Sequence, residues 1–262
     1  MTSNTGDFDN KVALITGGTS GVGFKVAKRL AHAGASVVVN GRNPQHGEDA
    51  VTELRSLSER VHFVAGDCTD YASVTRVVDE ARRYAGGIDI LVTAGAEGQG
   101  SLKPFAEMSA DELRSGFDTR FLPRIFPVHA ALPALRERGG SVVMLTTDAG
   151  RHVTPGESII GAVGAATMLM IKALAKEFAQ YRIRVNGVAM TITSDTPSWD
   201  RIFSVPGFQR DVFTKAVERF PFGRPPSADE VASVVVLLVS DATVQVTGQT
   251  VSVNGGLSFG GW

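Results

Sequence analysis

From residue 12 to residue 254 the chain alternates short apolar, β-branched runs with longer amphipathic segments, and this alternation limits the fold more than any other feature. Strand-like runs cover residues 12–16, 36–40, 61–65, 88–93, 141–146, 183–189 and 250–254. Helical patterns cover residues 22–33, 45–57, 71–84, 110–138, 156–180, a short piece within 200–218, and 228–239. Several strand runs are apolar on both faces, as strands sandwiched between two helix layers must be. Crossovers this regular imply an α/β fold with a parallel, doubly wound sheet. The 262 residues suit one such domain, and no repeat or linker divides residues 1–262. Residues 1–10 are polar and are expected to be flexible.

The first strand–helix junction reads Thr16-Gly17-Gly18-Thr19-Ser20-Gly21-Val22-Gly23. Glycine at 17, 21 and 23 removes the Cβ atoms that would keep a ligand from the backbone. A helix beginning there aims its free N–H groups and positive dipole end at the gap. With Thr19, Ser20 and Val22 these glycines form an expected pyrophosphate seat. The second strand ends in Asn40-Gly41-Arg42 with no acid to hold a ribose 2′-hydroxyl. Arg42 could instead pair with a 2′-phosphate, which favours NADP(H) over NAD(H); a solvated surface arginine is the alternative. Asp67, beside Cys68, could accept from an adenine amino group or cap the following helix. Ala94 and Gly95 end the fourth strand with small residues, as backbone contact with a ribose requires and as a simple turn also explains.

Composition narrows the partners. The net charge is −1 without a basic run, which argues against nucleic acid or an anionic membrane. The single cysteine, Cys68, cannot form an internal disulfide, so a reducing compartment is expected. There is no signal-peptide pattern, no apolar run approaching a bilayer span, and no expected metal site; the expectation is a cytoplasmic protein.

The motif Thr16-Gly17-x-x-x-Gly21-x-Gly23, Asp67, the Ala94-Gly95 turn, Arg184-Val185-Asn186 and the closing Val253-Asn254-Gly255-Gly256 together resemble the short-chain dehydrogenase/reductase family over nearly the whole chain. The resemblance implies a single-domain, seven-stranded Rossmann fold, a nicotinamide coenzyme and a tetramer. It also implies a catalytic tyrosine, a lysine four residues later that binds the nicotinamide ribose, a serine thirteen residues before the tyrosine, and an asparagine on the preceding helix. By spacing, Thr147 stands in the serine place, Ile160 in the tyrosine place, Gly164 in the lysine place and Arg120 in the asparagine place. The register with tyrosine six residues before lysine gives Ser158 and Gly164, and fares no better. The absent ribose lysine is expected to weaken coenzyme binding.

Other groups near these positions are Asp148, His152, Glu157, Ser158 and Glu97, of which His152 or Glu157 could serve as a base and Arg120 could bind a carboxylate or phosphate. Polar loop residues on a cleft rim are the more ordinary explanation of each, and a structural ion pair explains Arg120 equally. Pro123 and Pro127 are expected to kink the helix carrying Arg120. Gly161 and Gly164 are expected to permit close helix packing at a subunit interface. Trp199, Phe203, Phe208 and Phe213 fall where the family carries its substrate lid, and suggest an apolar or acyl ligand, a partner surface, or ordinary packing. Apolar stripes, Leu113, Phe117, Phe121, Ile125 and Val128 on one helix and Val163, Met168, Met170, Ile171 and Leu174 on another, call for a cover beyond the sheet. The sequence therefore points to a degenerate family member in a homo- or hetero-tetramer, the latter with an intact reductase of the same family. The alternatives are an active non-standard oxidoreductase or cofactor-assisted lyase or isomerase, and a nucleotide-responsive binding module.

Overall fold

A computed structural model describes residues 7–95 and 102–259. The elements run β1 (Val12–Thr16), α1 (Gly21–His32), β2 (Ser36–Gly41), α2 (Pro44–Arg55), β3 (Val61–Ala65), α3 (Tyr71–Ala85), β4 (Ile90–Thr93), α4 (Ala110–Arg138), β5 (Gly140–Thr147), α5 (Ser158–Phe178), β6 (Ile183–Met190), α6 (Pro197–Ser204), α7 (Phe208–Val217), α8 (Ala228–Val239) and β7 (Thr250–Val253). Seven parallel strands lie in the order β3-β2-β1-β4-β5-β6-β7. The order reverses beside β1, and the strand ends at β1 and β4 open a crevice there.

Side-chain alternation along each strand divides the core into two layers. Ala13, Ile15, Val37, Val39 and Val143 face a cluster with Val26 and Leu30 of α1 and Val231 and Val235 of α8. Leu14, Val38, Val142 and Met144 face the other cluster, with Val77 of α3, Leu135 of α4 and Ile171 of α5. A bidentate Arg29–Asp229 pair, at 2.9 and 2.6 Å, ties α1 to α8. The Arg184-Val185-Asn186 motif works as a clasp. Arg184 donates to the carbonyls of Leu238, Ser240 and Val246, while Asn186 donates to Val246 O and accepts from Gln249 N–H.

Three expectations change. Phe8 is buried and its N–H reaches Ala33 O at 3.0 Å, so the first ten residues are not a free tail throughout: packing of one aromatic ring holds residues 7–10. The helix α4 has the bounds read from the sequence, with Pro123, Pro127 and Pro133 inside it. The guanidinium of Arg124 donates to the Arg120 carbonyl one turn back on the same helix. The helical piece within 200–218 is two helices, parted at Val205-Pro206-Gly207, where Gly207 has φ 144°. Finally, the helix spanning Ser158–Tyr181 is long and apolar enough to cross a membrane. Its residues Ile159, Val163, Met168, Ile171 and Phe178 are buried in the fold, as expected of a helix that covers a sheet.

Candidate active site

The glycines at the end of β1 are required by contact. Gly17 has φ +67°, and a Cβ there would sit 2.4 Å from Gly95 N. A Cβ on Gly23 would sit 2.3 Å from Gly17 O. The two turns after β1 and β4 therefore press together and leave α1 starting at the crevice. Its N-cap residue, Ser20, makes no side-chain cap bond, and the first turn carries no acid. By contrast Asp70, Ser109, Thr196 and Ser227 cap the helices they precede. The N–H groups of the first turn of α1 thus face the cleft without a side-chain acceptor, the arrangement that suits a pyrophosphate.

The cleft has a volume of about 1450 Å³ and runs from this turn to α6 and α7. Every expected coenzyme residue lines it: Gly17, Thr19, Ser20, Gly21, Val22 and Gly23 at the turn, Arg42 and then Asp67 and Cys68 at one end, and Ala94 and Gly95 beneath. Arg42 is exposed at the mouth. One Asp67 oxygen accepts from Thr69 N–H and Oγ1, both at 2.8 Å, so Asp67 shapes its own loop, and Asp70 caps α3. Cys68 donates to Asn40 Oδ1 at 3.2 Å, and Asn40 in turn donates to the carbonyls of Val64 and Gly66. Burial above all, helped by the Asp67 carboxylate, pushes the Cys68 thiol up to about 12.

At the other end, Arg120, Thr147, Asp148, His152, Glu157 and Ile160 line the same cleft. Thr147 Oγ1 accepts from Ala149 N–H at 3.2 Å. Asp148 is fastened to the closing motif: it accepts from Ser252 Oγ at 2.7 Å, Asn254 Nδ2 at 2.6 Å and Ser258 Oγ at 3.3 Å. His152 Nε2 is buried without a hydrogen-bond partner. Burial raises the Glu157 carboxyl, opposed by a Thr154 hydrogen bond and by Arg120. Burial lowers Arg120, with Glu157 opposing and Arg201 of α6 reinforcing the shift. Arg124 gives no signal in the sequence beyond its place between two prolines. It is half-buried, donates Nε to Leu145 O at 2.7 Å, and is pushed down to about 10 by burial and then by Arg120, which leaves it charged near neutrality.

Gly164 and Ser158 do not line the cleft, and Glu97 lies outside the described residues. Gly161 and Gly164 are not at an outer helix face either. A Cβ at 161 would sit 2.7 Å from Ala149 O, and one at 164 would sit 2.8 Å from Thr147 Cγ2 and 3.0 Å from Gly150 N. Both glycines let α5 rest on the turn after β5 within the chain, which corrects the interface expectation for them. No tyrosine lines the cleft. Tyr71 bonds His129 at 2.6 Å, Tyr84 donates to Val61 O, and Tyr181 lies under the Arg136 guanidinium. Of the four aromatics between β6 and α8, Trp199 and Phe213 line the cleft; Phe203 packs on Trp199, and Phe208 lies against Gly156. Among the described residues no cluster of three His, Cys, Asp or Glu could hold a metal ion.

The chain is similar to known proteins over nearly its whole length. Residues 17–258 match the family model described as enoyl-(acyl carrier protein) reductase. The chain is 30% identical to the 3-oxoacyl-(acyl-carrier-protein) reductase FabG of Chlamydia muridarum over 252 residues, covering 95% of this chain and 98% of that one. It is 31% identical to the 2,5-dichloro-2,5-cyclohexadiene-1,4-diol dehydrogenase LinX of Sphingobium indicum, covering 95% and 97%. An NADPH-bound short chain oxidoreductase of Pseudomonas aeruginosa, described as containing an atypical catalytic center, superimposes with a TM-score of 0.88 at 28% identity, covering 97% and 98%.

Proposed function

This chain belongs to the short-chain dehydrogenase/reductase family, and we propose that within it the chain is an NADP(H)-binding subunit without the family's own carbonyl chemistry, working in a tetramer with itself or with an intact reductase. The observation that carries this reading is the cleft wall around Ile160. A nicotinamide coenzyme supplies a hydride donor or acceptor when bound. The protein must then supply or remove a proton at the substrate oxygen, and a tyrosine, ordinarily near 10, does so only when a neighbouring cation lowers it. Here the place of that tyrosine is an alkyl side chain. The place of the lysine is a glycine turned towards Thr147 and Gly150, outside the cleft lining.

The coenzyme half supports retention of binding. Gly17, Ser20, Gly21, Val22 and Gly23 would hold the pyrophosphate, Arg42 the 2′-phosphate, Asp67 and Cys68 the adenine side, and Ala94 and Gly95 a ribose. The NADPH held by the Pseudomonas relative, in spite of its atypical centre, favours the same outcome here. Apolar side chains left open on the helices, Phe117 at 40% and Leu169 at 67% exposure, favour an assembly that covers α4 and α5. The test is co-expression with a tyrosine-bearing reductase encoded nearby, followed by light scattering and assay of 3-oxoacyl thioester reduction. The expected result is a tetramer in solution, with only trace turnover by this chain alone. A monomer at micromolar concentration refutes the assembly, and robust turnover by the homogeneous chain refutes the silent subunit.

One observation favours a second reading, an active enzyme with another acid–base group: the unpartnered Nε2 of His152. On that reading turnover exists and His152→Ala or Glu157→Ala abolishes it.

A further inference from the structure

We propose that Arg124 of α4 does the binding work of the missing lysine, its guanidinium holding the nicotinamide ribose of the coenzyme; the inference rests on the coenzyme reading above. The resemblance gives that ribose to a lysine at 164, where this chain has glycine. Contacts with β5 locate the place: Gly164 O accepts from Thr146 Oγ1 at 3.3 Å, and a Cβ at 164 would sit 2.8 Å from Thr147 Cγ2. Arg124 reaches the same strand one residue earlier, where its Nε donates to Leu145 O at 2.7 Å. A strand advances about 3.3 Å per residue, so α4 and α5 bring the arginine head and the lysine place to one short stretch of β5. Arg124, Leu145, Thr146 and Thr147 line the cleft, and Gly164 does not. A cation therefore stands in the wall that lacks the lysine.

The stretch lies where a ribose is expected. Pairing of β4 with β5 ends at Thr93 and Met144, so Leu145 is the first residue of β5 beyond the end of β4. The chain leaving β4 there is Ala94-Gly95, the turn that the coenzyme reading gives to a ribose, and it lines the same cleft. Arg124 is held by two backbone oxygens, Leu145 O on Nε and Arg120 O on Nη1. These anchors fix the plane of the guanidinium and use two of its five N–H groups. Among the described residues nothing accepts from Nη2, and no carboxylate pairs with the side chain. A half-buried cation bonded only to neutral carbonyls has regained part of its lost hydration and gains from further acceptors. A ribose diol offers two adjacent oxygens, which the in-plane N–H groups of a fixed fork can meet together. With the cation carried on α4, position 164 is free to be the glycine on which the turn after β5 rests.

The experiment is calorimetry of the purified chain with NADPH, NADH and adenosine 2′,5′-bisphosphate, which carries the adenine end of NADPH without the nicotinamide ribose. The wild type is expected to bind NADPH about tenfold more tightly than the bisphosphate, or better, as charged hydrogen bonds to the ribose require. Arg124→Gln is expected to weaken NADPH and NADH alike, by about tenfold, and to leave the bisphosphate unchanged. If the amide variant does not fold, Arg124→Lys, which keeps a charge and loses the fork, carries the same comparison with a severalfold loss expected. A bisphosphate bound as tightly as NADPH by the wild type overturns this inference alone. So does a variant that binds NADPH undiminished, or one that loses the bisphosphate as much as NADPH, since the arginine then only supports the fold. A wild type that binds none of the three overturns the coenzyme reading and this inference with it.

Discussion

Replacing Gly164 with alanine sets helix propensity against packing, and the structure decides the sign. Glycine inside a helix is about 1 kcal/mol less favourable than alanine, so propensity alone predicts a more stable protein. The new Cβ would lie 2.8 Å from Thr147 Cγ2 and 3.0 Å from Gly150 N. Gly150 can give way only if the turn after β5 lifts off α5 and loses its own close contact there: a Cβ on Gly150 would meet Ala165 N at 2.5 Å. Thr147 can turn its methyl away only by giving up the Ala149 N–H, a bond worth about 1 kcal/mol. Overpacking of this kind costs roughly 1–3 kcal/mol. The net expectation is a loss of about 1–2 kcal/mol, or a fall of roughly 2–8 °C in Tm for a domain of this size. Urea denaturation of Gly164→Ala measures it, with the difference between Lys176→Ala and Lys176→Gly, at an exposed position of the same helix, giving propensity alone. A Gly164→Ala protein stabilised by the full propensity difference refutes the reasoning. The functional corollary is that Ile160→Tyr with Gly164→Lys does not restore 3-oxoacyl thioester reduction above trace rates. A lysine at 164 must first push the turn after β5 away from α5.

Arg42→Ala should weaken NADPH about tenfold and NADH hardly at all, by calorimetry, the low end of what a charged hydrogen bond at an exposed site contributes; equal losses for both coenzymes would remove the 2′-phosphate role. Gly17→Ala should abolish coenzyme binding and lower stability, since φ is +67° and the added Cβ lies 2.4 Å from Gly95 N; thermal denaturation and calorimetry of the same sample check it. Cys68 gives a pH dependence with a definite sign. Its thiol is held at about 12 against an ordinary 9.0, so the unfolded chain ionises first and stability falls as pH rises above 9. The loss between pH 8.5 and 10.5 should be about 2 kcal/mol, read as the extra slope of the wild type over Cys68→Ala in urea denaturation.

The coenzyme end was legible because its requirements are written in the backbone. Gly17, Gly21 and Gly23 stand where left-handed φ or close approach excludes a side chain, and spacing alone reveals such positions. The motifs around Arg184 and Asn254 were visible as motifs, but not their work. Arg184 acts on carbonyls at 238, 240 and 246, and Asn254 acts on Asp148, over separations that no local pattern encodes. Gly161 and Gly164 were misjudged for a related reason. A spacing of three shows that two residues share a helix face; it does not say whether a partner chain or the chain's own turn lies against it. Arg124 was missed because an arginine between prolines on a helix reads as solvated, and only the fold shows Leu145 O waiting for its Nε.

The departures at the inner end form one packing unit, and this bears on how such a site can change. The turn after β5 rests on α5 through Gly150, Gly161 and Gly164. The same strand offers Leu145 O to Arg124, which holds the backbone of Arg120, which in turn faces Glu157 at the start of α5. A lysine at 164 would open the first contact, and a side chain shorter than arginine at 120 would leave Glu157 without the cation that opposes its desolvation. Each residue is thus fitted to the others, so substitution at a single position meets a penalty from its neighbours. The coenzyme turn shares none of these contacts: Gly17, Gly23 and Gly95 pack on one another on the far side of β4 from β5. Separation of the two packing units is what allows the coenzyme seat to keep its geometry whatever residues stand in the wall opposite.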